Sequence, residues 1–209
     1  MTGHIGQSRA TRTRDRLVES SAAQFALRGY DGTSFARICE AAGVTMGALT
    51  FHFPSKAALA QAVCTTGIEA TRVVVDDADQ RGGTPLESVG NVTRAVAGLL
   101  RERGAAQAAA RLSREQPPLH MDWRESWLPL VRTRLRQAAA LKQLHPTTRP
   151  ESAALLVSSL VAGVEVGLLS EHGNAAPPAP GPPGRLAELW QTALRGIGAW
   201  QHEDLTHAP

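Results

Sequence analysis

Cysteine, lysine and tyrosine are scarce: two Cys, two Lys and one Tyr among 209 residues. The two thiols, Cys39 and Cys64, both fall on apolar helix faces, so buried thiols are expected rather than a disulfide framework, which fits a cytoplasmic setting. No run of 18 or more apolar residues occurs, so no membrane span is expected. The amino terminus lacks an apolar stretch behind its charges and does not read as a secretory signal. Seven histidines are scattered as His4, His52, His120, His145, His172, His202 and His207. None belongs to an HExxH, a Cys–His zinc spacing or a triad, leaving only His202 and His207 as a weak metal pair in a polar tail. Phosphate-cradling glycine loops are also missing, since Gly43 and Gly47 bracket a helix cap. Catalytic residues, metal ligands and cofactors are therefore expected to be none. Convincing strands and internal repeats are absent too, and the chain reads as all-α.

What is present is enough apolar residue, 43% of the chain, to build a core in one or two domains. The informative stretch is Thr33–Lys56, TSFARICEAAGVTMGALTFHFPSK. It reads as two short helices joined by a tight turn. Thr33 or Ser34 supplies a capping hydroxyl for the first. Phe35, Ile38, Cys39 and Ala42 recur at i, i+3, i+4 and i+7, giving that helix one apolar face. Gly43 stands where the backbone must leave the helix. Thr45 caps the second helix, with Val44 and Leu49 placed as a hydrophobic staple. Ala48 and Leu49 then face inward, leaving Met46, Gly47, Thr50 and Phe51 on or near the free face. Ser55 caps a further helix, and Lys56 sits at its N-terminus, where free N–H groups favour phosphate. Two such helices with a Gly-containing turn match the helix-turn-helix pattern, whose second helix enters the major groove of DNA.

Charge agrees with that reading. Residues 1–56 carry seven Lys/Arg against four Asp/Glu, while the rest of the chain holds fifteen of each. All the excess positive charge therefore lies beside the helix-turn-helix. A solvated arm would explain Arg9 to Arg16 alone; next to a DNA-reading unit, phosphate contact explains it better.

The run TRTRDRLVESSAAQFALRGYDGTSFARICEAAGVTMGALTFHFPSKAALA resembles the amino-terminal domain of the TetR family of transcriptional regulators. Leu17, Ala22, Phe25, Gly29, Tyr30, Thr33, Ile38, Ala42-Gly43-Val44, Gly47-Ala48-Leu49, His52-Phe53 and Ser55-Lys56 carry the likeness, over roughly a quarter of the chain. The resemblance implies a three-helix DNA-reading domain and a helical ligand-binding and dimerisation bundle. Candidate DNA contacts are Arg12, Thr33, Thr45, Met46, Gly47, Thr50, Phe51, His52 and Lys56; for His52 a structural role fits equally well. Where the family commonly has a Tyr that touches phosphate, this chain has Thr50, whose hydroxyl reaches less far.

Taken in order, residues 1–8 are expected to be a disordered arm and 9–54 the DNA-binding domain. Residues 55–201 form the ligand-binding and dimerisation domain, with 202–209 a tail. Helices are expected near 9–27, 55–79, 84–103, 105–114, 123–144, 152–170 and 185–201. Thr84-Pro85-Leu86-Glu87 and Thr148-Arg149-Pro150-Glu151 are capping boxes. The segment GNAAPPAPGPPG, 173–184, excludes regular structure and reads as a loop. Helix 152–170 is apolar nearly all round and must be buried, within the chain or against a second copy. The resemblance favours a homodimer joined through the last two helices.

Every aromatic residue after position 56 is a tryptophan: Trp123, Trp127, Trp190 and Trp200. Trp123 and Trp127 share a helix face and serve either as core or as the aromatic wall of an apolar pocket. The run RLSREQPPLHMDWRESWLPL is similar to the γ-butyrolactone receptor group within the family. That likeness implies a small-molecule effector covered first by Trp123 and next by Trp127. Thr65, Ser158, Ser159 and Glu165 are candidate polar groups of the pocket, though a solvent-facing or core-satisfied role fits each of them better taken singly. The likeness also implies a repressor released from its DNA operator by a γ-butyrolactone-like signal. A pseudo-receptor answering to an antibiotic is the alternative, and an all-α enzyme a distant one.

Overall fold

The computed structural model describes residues 3–102, 104–116, 119–170 and 182–198. Nine α-helices are described: α1 (Gly3–Arg28), α2 (Phe35–Ala42), α3 (Met46–His52), α4 (Lys56–Gln80), α5 (Pro85–Arg101), α6 (Ala105–Glu115), α7 (Leu128–Ala140), α8 (Pro150–Ser170) and α9 (Pro182–Ile197). A 3-10 turn spans Trp123–Ser126. No strand occurs among the described residues; Leu144 and Gly198 form one isolated antiparallel bridge. The all-α expectation holds.

Packing divides the chain into two compact units. The first comprises Met1–Val75 and Gly98–Trp127. Within it α1 packs against α2, α3 and α6. Leu17, Phe25, Ile38, Leu49, Leu59, Val63 and Leu112 are fully buried there. Removing such side chains from water is the main stabilising term, at about 1.5–3 kcal/mol each. Two glycines set close approaches. A Cβ on Gly67 would stand 2.2 Å from the Ala105 carbonyl oxygen, so α4 and α6 cross at van der Waals distance only because none is there. Gly29 ends α1 at φ +72, a conformation that disfavours any other residue.

The second unit comprises Asp76–Ala97 and Leu128–Pro209. Here α7 packs on α8, and α8 on α9, over a core of Val89, Val92, Val131, Leu135, Val157 and Trp190. The capping box at Thr84 forms as expected: the Thr84 N–H donates to Glu87 Oε2 at 2.7 Å and the Glu87 N–H to Thr84 Oγ1 at 3.3 Å. Arg134 Nε donates to Asp79 Oδ1 at 2.8 Å, and Ser88 Oγ donates to the same oxygen.

Several boundaries differ from expectation. Helix α1 begins at Gly3, inside the expected arm, because residues 3–8 contain no proline and each added residue extends the hydrogen-bond ladder. The expected helix 123–144 divides into the 3-10 turn and α7; Asp122 caps the turn, accepting from the Arg124 N–H. The chain then leaves α7 at Ala140 and Lys142 takes φ +57. At the far end α9 starts at Pro182, within the segment read as loop, because proline is tolerated in a first helical turn. The remainder of that loop (173–181), Trp200 and the 202–209 tail lie outside the described residues.

Candidate DNA-reading surface and effector site

The reading head is built as its local chemistry demands. Ser34, rather than Thr33, caps α2 by accepting from the Arg37 N–H. Gly43 closes that helix in the left-handed conformation at φ 61, and Arg16 Nη2 donates to the Ala42 carbonyl at 2.6 Å. Thr45 caps α3 by accepting from the Ala48 N–H at 3.2 Å. Leu49 and Phe53 anchor α3 in the core, and the Arg14 guanidinium lies over the Phe53 ring.

The opposite face of α3 stands in solvent. Phe51 is 81% exposed and Met46 45% exposed, and His52 meets the Phe51 ring edge-on at 5.2 Å. A Cβ on Gly47 would meet nothing nearer than Thr45 Oγ1 at 4.0 Å, so a partner can approach the backbone closely there. Thr50 Oγ1 donates back to the Met46 carbonyl at 3.0 Å, leaving its lone pairs outward. The helix, MGALTFH, carries no Arg, Lys, Asn or Gln, the side chains that read bases in bidentate fashion. Its chemistry is apolar contact, one hydroxyl and one imidazole. Arg12 is exposed on α1.

Two of the expected contact residues find partners within the chain. Thr33 is buried, and its hydroxyl donates to the Gly29 carbonyl at 2.8 Å, so it braces the turn before α2 and does not reach the surface. Lys56 folds back: Nζ donates to the carbonyls of Tyr30 at 2.9 Å and Thr33 at 3.1 Å, and lies 4.3 Å over the Tyr30 ring. Its ammonium satisfies backbone acceptors near the end of α1.

Trp123 and Trp127, four residues apart but not on one regular helix, converge with ring centroids 5.9 Å apart and tilted by 57°. Both are essentially buried. Trp123 Nε1 donates to Thr71 Oγ1 at 2.8 Å, and its backbone N–H donates to Ser113 Oγ at 3.0 Å. Trp127 Nε1 is buried with no hydrogen-bond partner, as is Gln107 Oε1 in the same unit. A buried polar group left without a partner costs about 1–3 kcal/mol; Trp190 Nε1, in the core of the second unit, is in the same position.

The other expected polar groups are dispersed. Thr65 is exposed, its hydroxyl turned back to the Gln61 carbonyl, because position 65 falls off the Val63–Gly67–Thr71 stripe that α4 buries. Ser158 is half-buried and Ser159 exposed. Glu165 is buried, and all three belong to the second unit. Thr71, Ser113 and Gln107 were missed. Thr71 was findable: it is the polar member of that stripe, and a buried indole needs an acceptor. An open groove of about 400 Å³ lined by Arg16, Glu19, Gln24 and Ala42 shares no residue with either predicted site. Among the described residues no group of three or more His, Cys, Asp or Glu could hold a metal ion.

A capped helix pair with an exposed second helix, within an all-α chain, has the architecture of a helix-turn-helix protein. Residues 17–63 match the bacterial regulatory proteins of the tetR family. The chain belongs to that family. It is 32% identical to CprB from Streptomyces coelicolor, solved in complex with its biological operator sequence, with a TM-score of 0.69 and 90% of each chain covered. It is 28% identical to a gamma-butyrolactone receptor described as ArpA-like, with a TM-score of 0.74 and 92% of each chain covered. The A-factor receptor protein of Streptomyces griseus is 30% identical over 196 residues, which span 91% of this chain and 66% of that receptor. These relatives are regulators and receptors, not enzymes.

Proposed function

We propose that this chain is a ligand-responsive repressor that binds a near-palindromic DNA operator as a homodimer and is released by a γ-butyrolactone-like effector. The observation that carries the reading is the pairing of two features in one compact unit: an outward reading helix and a buried Trp123–Trp127 pair. In functional terms residues 9–54 read DNA, and residues 55–201 sense the effector and dimerise. DNA contact is assigned to Thr45, Met46, Gly47, Thr50, Phe51 and His52 with Arg12 on phosphate. Effector contact is assigned to Trp123 and Trp127. An indole donor fits a lactone carbonyl, and an apolar aromatic wall fits an alkyl chain.

A second copy has a natural seat. Leu155, Ser159, Ala162 and Gly163 stand exposed along α8 at i, i+4, i+7 and i+8, and Leu189 is exposed on α9. The segment Pro150–Leu168 is long and apolar enough to cross a membrane by length and composition, with a third of its most apolar window buried. A helix in a dimer interface reaches the same hydropathy, and dimerisation places two reading heads about 34–36 Å apart or at a multiple of that. Acting on DNA would place the protein in the cytoplasm.

The test is binding of the purified protein to its own upstream DNA, with γ-butyrolactone-type compounds titrated in. Specific binding relieved by the lactone is expected; a 100-fold release requires the effector to favour the DNA-incompetent form by about 2.7 kcal/mol. Binding that no lactone relieves but an antibiotic does would make the protein a pseudo-receptor. Failure to enrich any site from random DNA would sink the DNA-binding reading.

A further inference from the structure

We infer that the Arg111–Glu115 pair of α6 is the coupling clamp of this regulator, gripping the turn between α1 and α2 so that movement of α6 at Trp123 reaches the reading head. The inference rests on the function proposed above and assigns its route of regulation. One turn of α6 holds two things at once. On one side Ser113 Oγ accepts from the Trp123 backbone N–H at 3.0 Å. On the other, Arg111 Nη1 donates to the Ala26 carbonyl at 3.1 Å, and Glu115 Oε2 accepts from the Tyr30 N–H at 2.9 Å. Arg111 Nε and Glu115 Oε1 lock together at 2.6 Å. The pair is only 18% and 31% exposed, so solvent screens it less than it would a pair at the surface.

The clamp closes on backbone either side of Gly29. Ala26 O is one of the carbonyls that the last turn of a helix leaves without an i+4 partner, and a cation there also complements the helix dipole. A Cβ on Gly29 would lie 2.4 Å from Glu115 Oε2, so the grip exists only because this position is glycine. From Tyr30 the connection continues. Its carbonyl accepts from Lys56 Nζ, its ring stacks on Phe25 at 6.0 Å, and Thr33 ties back to Gly29 before Ser34 starts α2. The turn that aims α2 and α3 is thus held by α6 on one side and by the first residue of α4 on the other. All of these groups lie in one compact unit. A shift of α6 driven at Trp123 therefore acts on the turn through hydrogen bonds to backbone.

Hydrogen exchange on the full-length protein tests this without effector or DNA. Ser113→Ala frees the Trp123 N–H from α6 and is expected to change amide exchange across residues 30–52 by about threefold or more. In a Glu115→Ala background, which removes the acceptor for Tyr30 and the partner of Arg111, the same change is expected to leave 30–52 unmoved. Arg111→Met repeats the experiment should Glu115→Ala lose its helical circular dichroism. Equal responses in both backgrounds, or no response in either, would overturn the clamp. The functional readout follows: with operator DNA and a γ-butyrolactone probe, clamp variants should keep DNA and lactone affinity within about threefold while the release ratio drops at least tenfold. Undiminished release in a folded clamp variant also overturns the assignment. A wild type that binds DNA but ignores every lactone counts against the proposed effector alone, and the exchange result still decides the clamp.

Discussion

Two apolar groups of the first unit have opposite environments. Phe51 and Met46 stand on α3 with little contact to their own chain, while Trp123 and Trp127 are almost wholly enclosed. A large apolar side chain left in solvent gains no burial energy until a partner covers it. Enclosed indoles contribute to the fold whether or not a ligand is present, so function and stability are entangled there. Both regions use few charges, yet one is a free surface and the other a core.

Substitutions can break or sharpen that contrast. The largest effect is expected from Trp127→Ala, which empties a fully buried volume and should cost about 3–5 kcal/mol in urea unfolding. A cost under about 1 kcal/mol would mean the indole is not core. Next is Asp79→Asn in the second unit. The Arg134 hydrogen bond holds the Asp79 carboxyl below its ordinary 3.8, against desolvation, and Ser88 adds to it. A depressed folded pKa stabilises fully above the unfolded value and loses that contribution as pH falls through the folded one. Asp79→Asn should therefore lower stability by about 1.5–3 kcal/mol near neutrality, and the gap to wild type should close below about pH 4. A gap independent of pH would exclude the ion pair as its cause.

Phe51→Ala is the counterpart of the tryptophan change. Stability should stay within about 0.5 kcal/mol of wild type, while operator affinity falls by about 1–3 kcal/mol if the ring covers a thymine methyl. Retained operator affinity would remove Phe51 from the reading face. The smallest effect is assigned to Lys56→Ala, because two backbone carbonyls already hold its ammonium. A stability loss of about 1 kcal/mol is expected with the salt dependence of DNA binding unchanged; a slope shallower by about one unit would return Lys56 to phosphate.

Much of the reading head was legible in the sequence because its signals are local. The caps at Ser34 and Thr45 and the left-handed Gly43 each act on partners no more than four residues away, and Leu49 lies four residues after the Thr45 cap. The roles of Thr33 and Lys56 were not legible, since their acceptors, Gly29, Gln24 and Tyr30, depend on how α1 returns against α2 and α4. The effector site was half legible. Trp123 and Trp127 could be singled out by type, but Thr71 lies 52 residues away in sequence, and the exposure of Thr65 follows from the side on which α4 meets α6.

By itself the sequence determined most of the helices and the helix-turn-helix, because periodicity, capping hydroxyls and glycine stops act over one or two turns, and its resemblance to known regulators marked the family. Only tertiary structure decided which polar groups face outward, which indole finds an acceptor, and that one turn of α6 joins Trp123 to the end of α1. Those outcomes depend on contacts between segments tens of residues apart. Several of them are made to backbone atoms, which every residue type presents alike and no sequence pattern can mark.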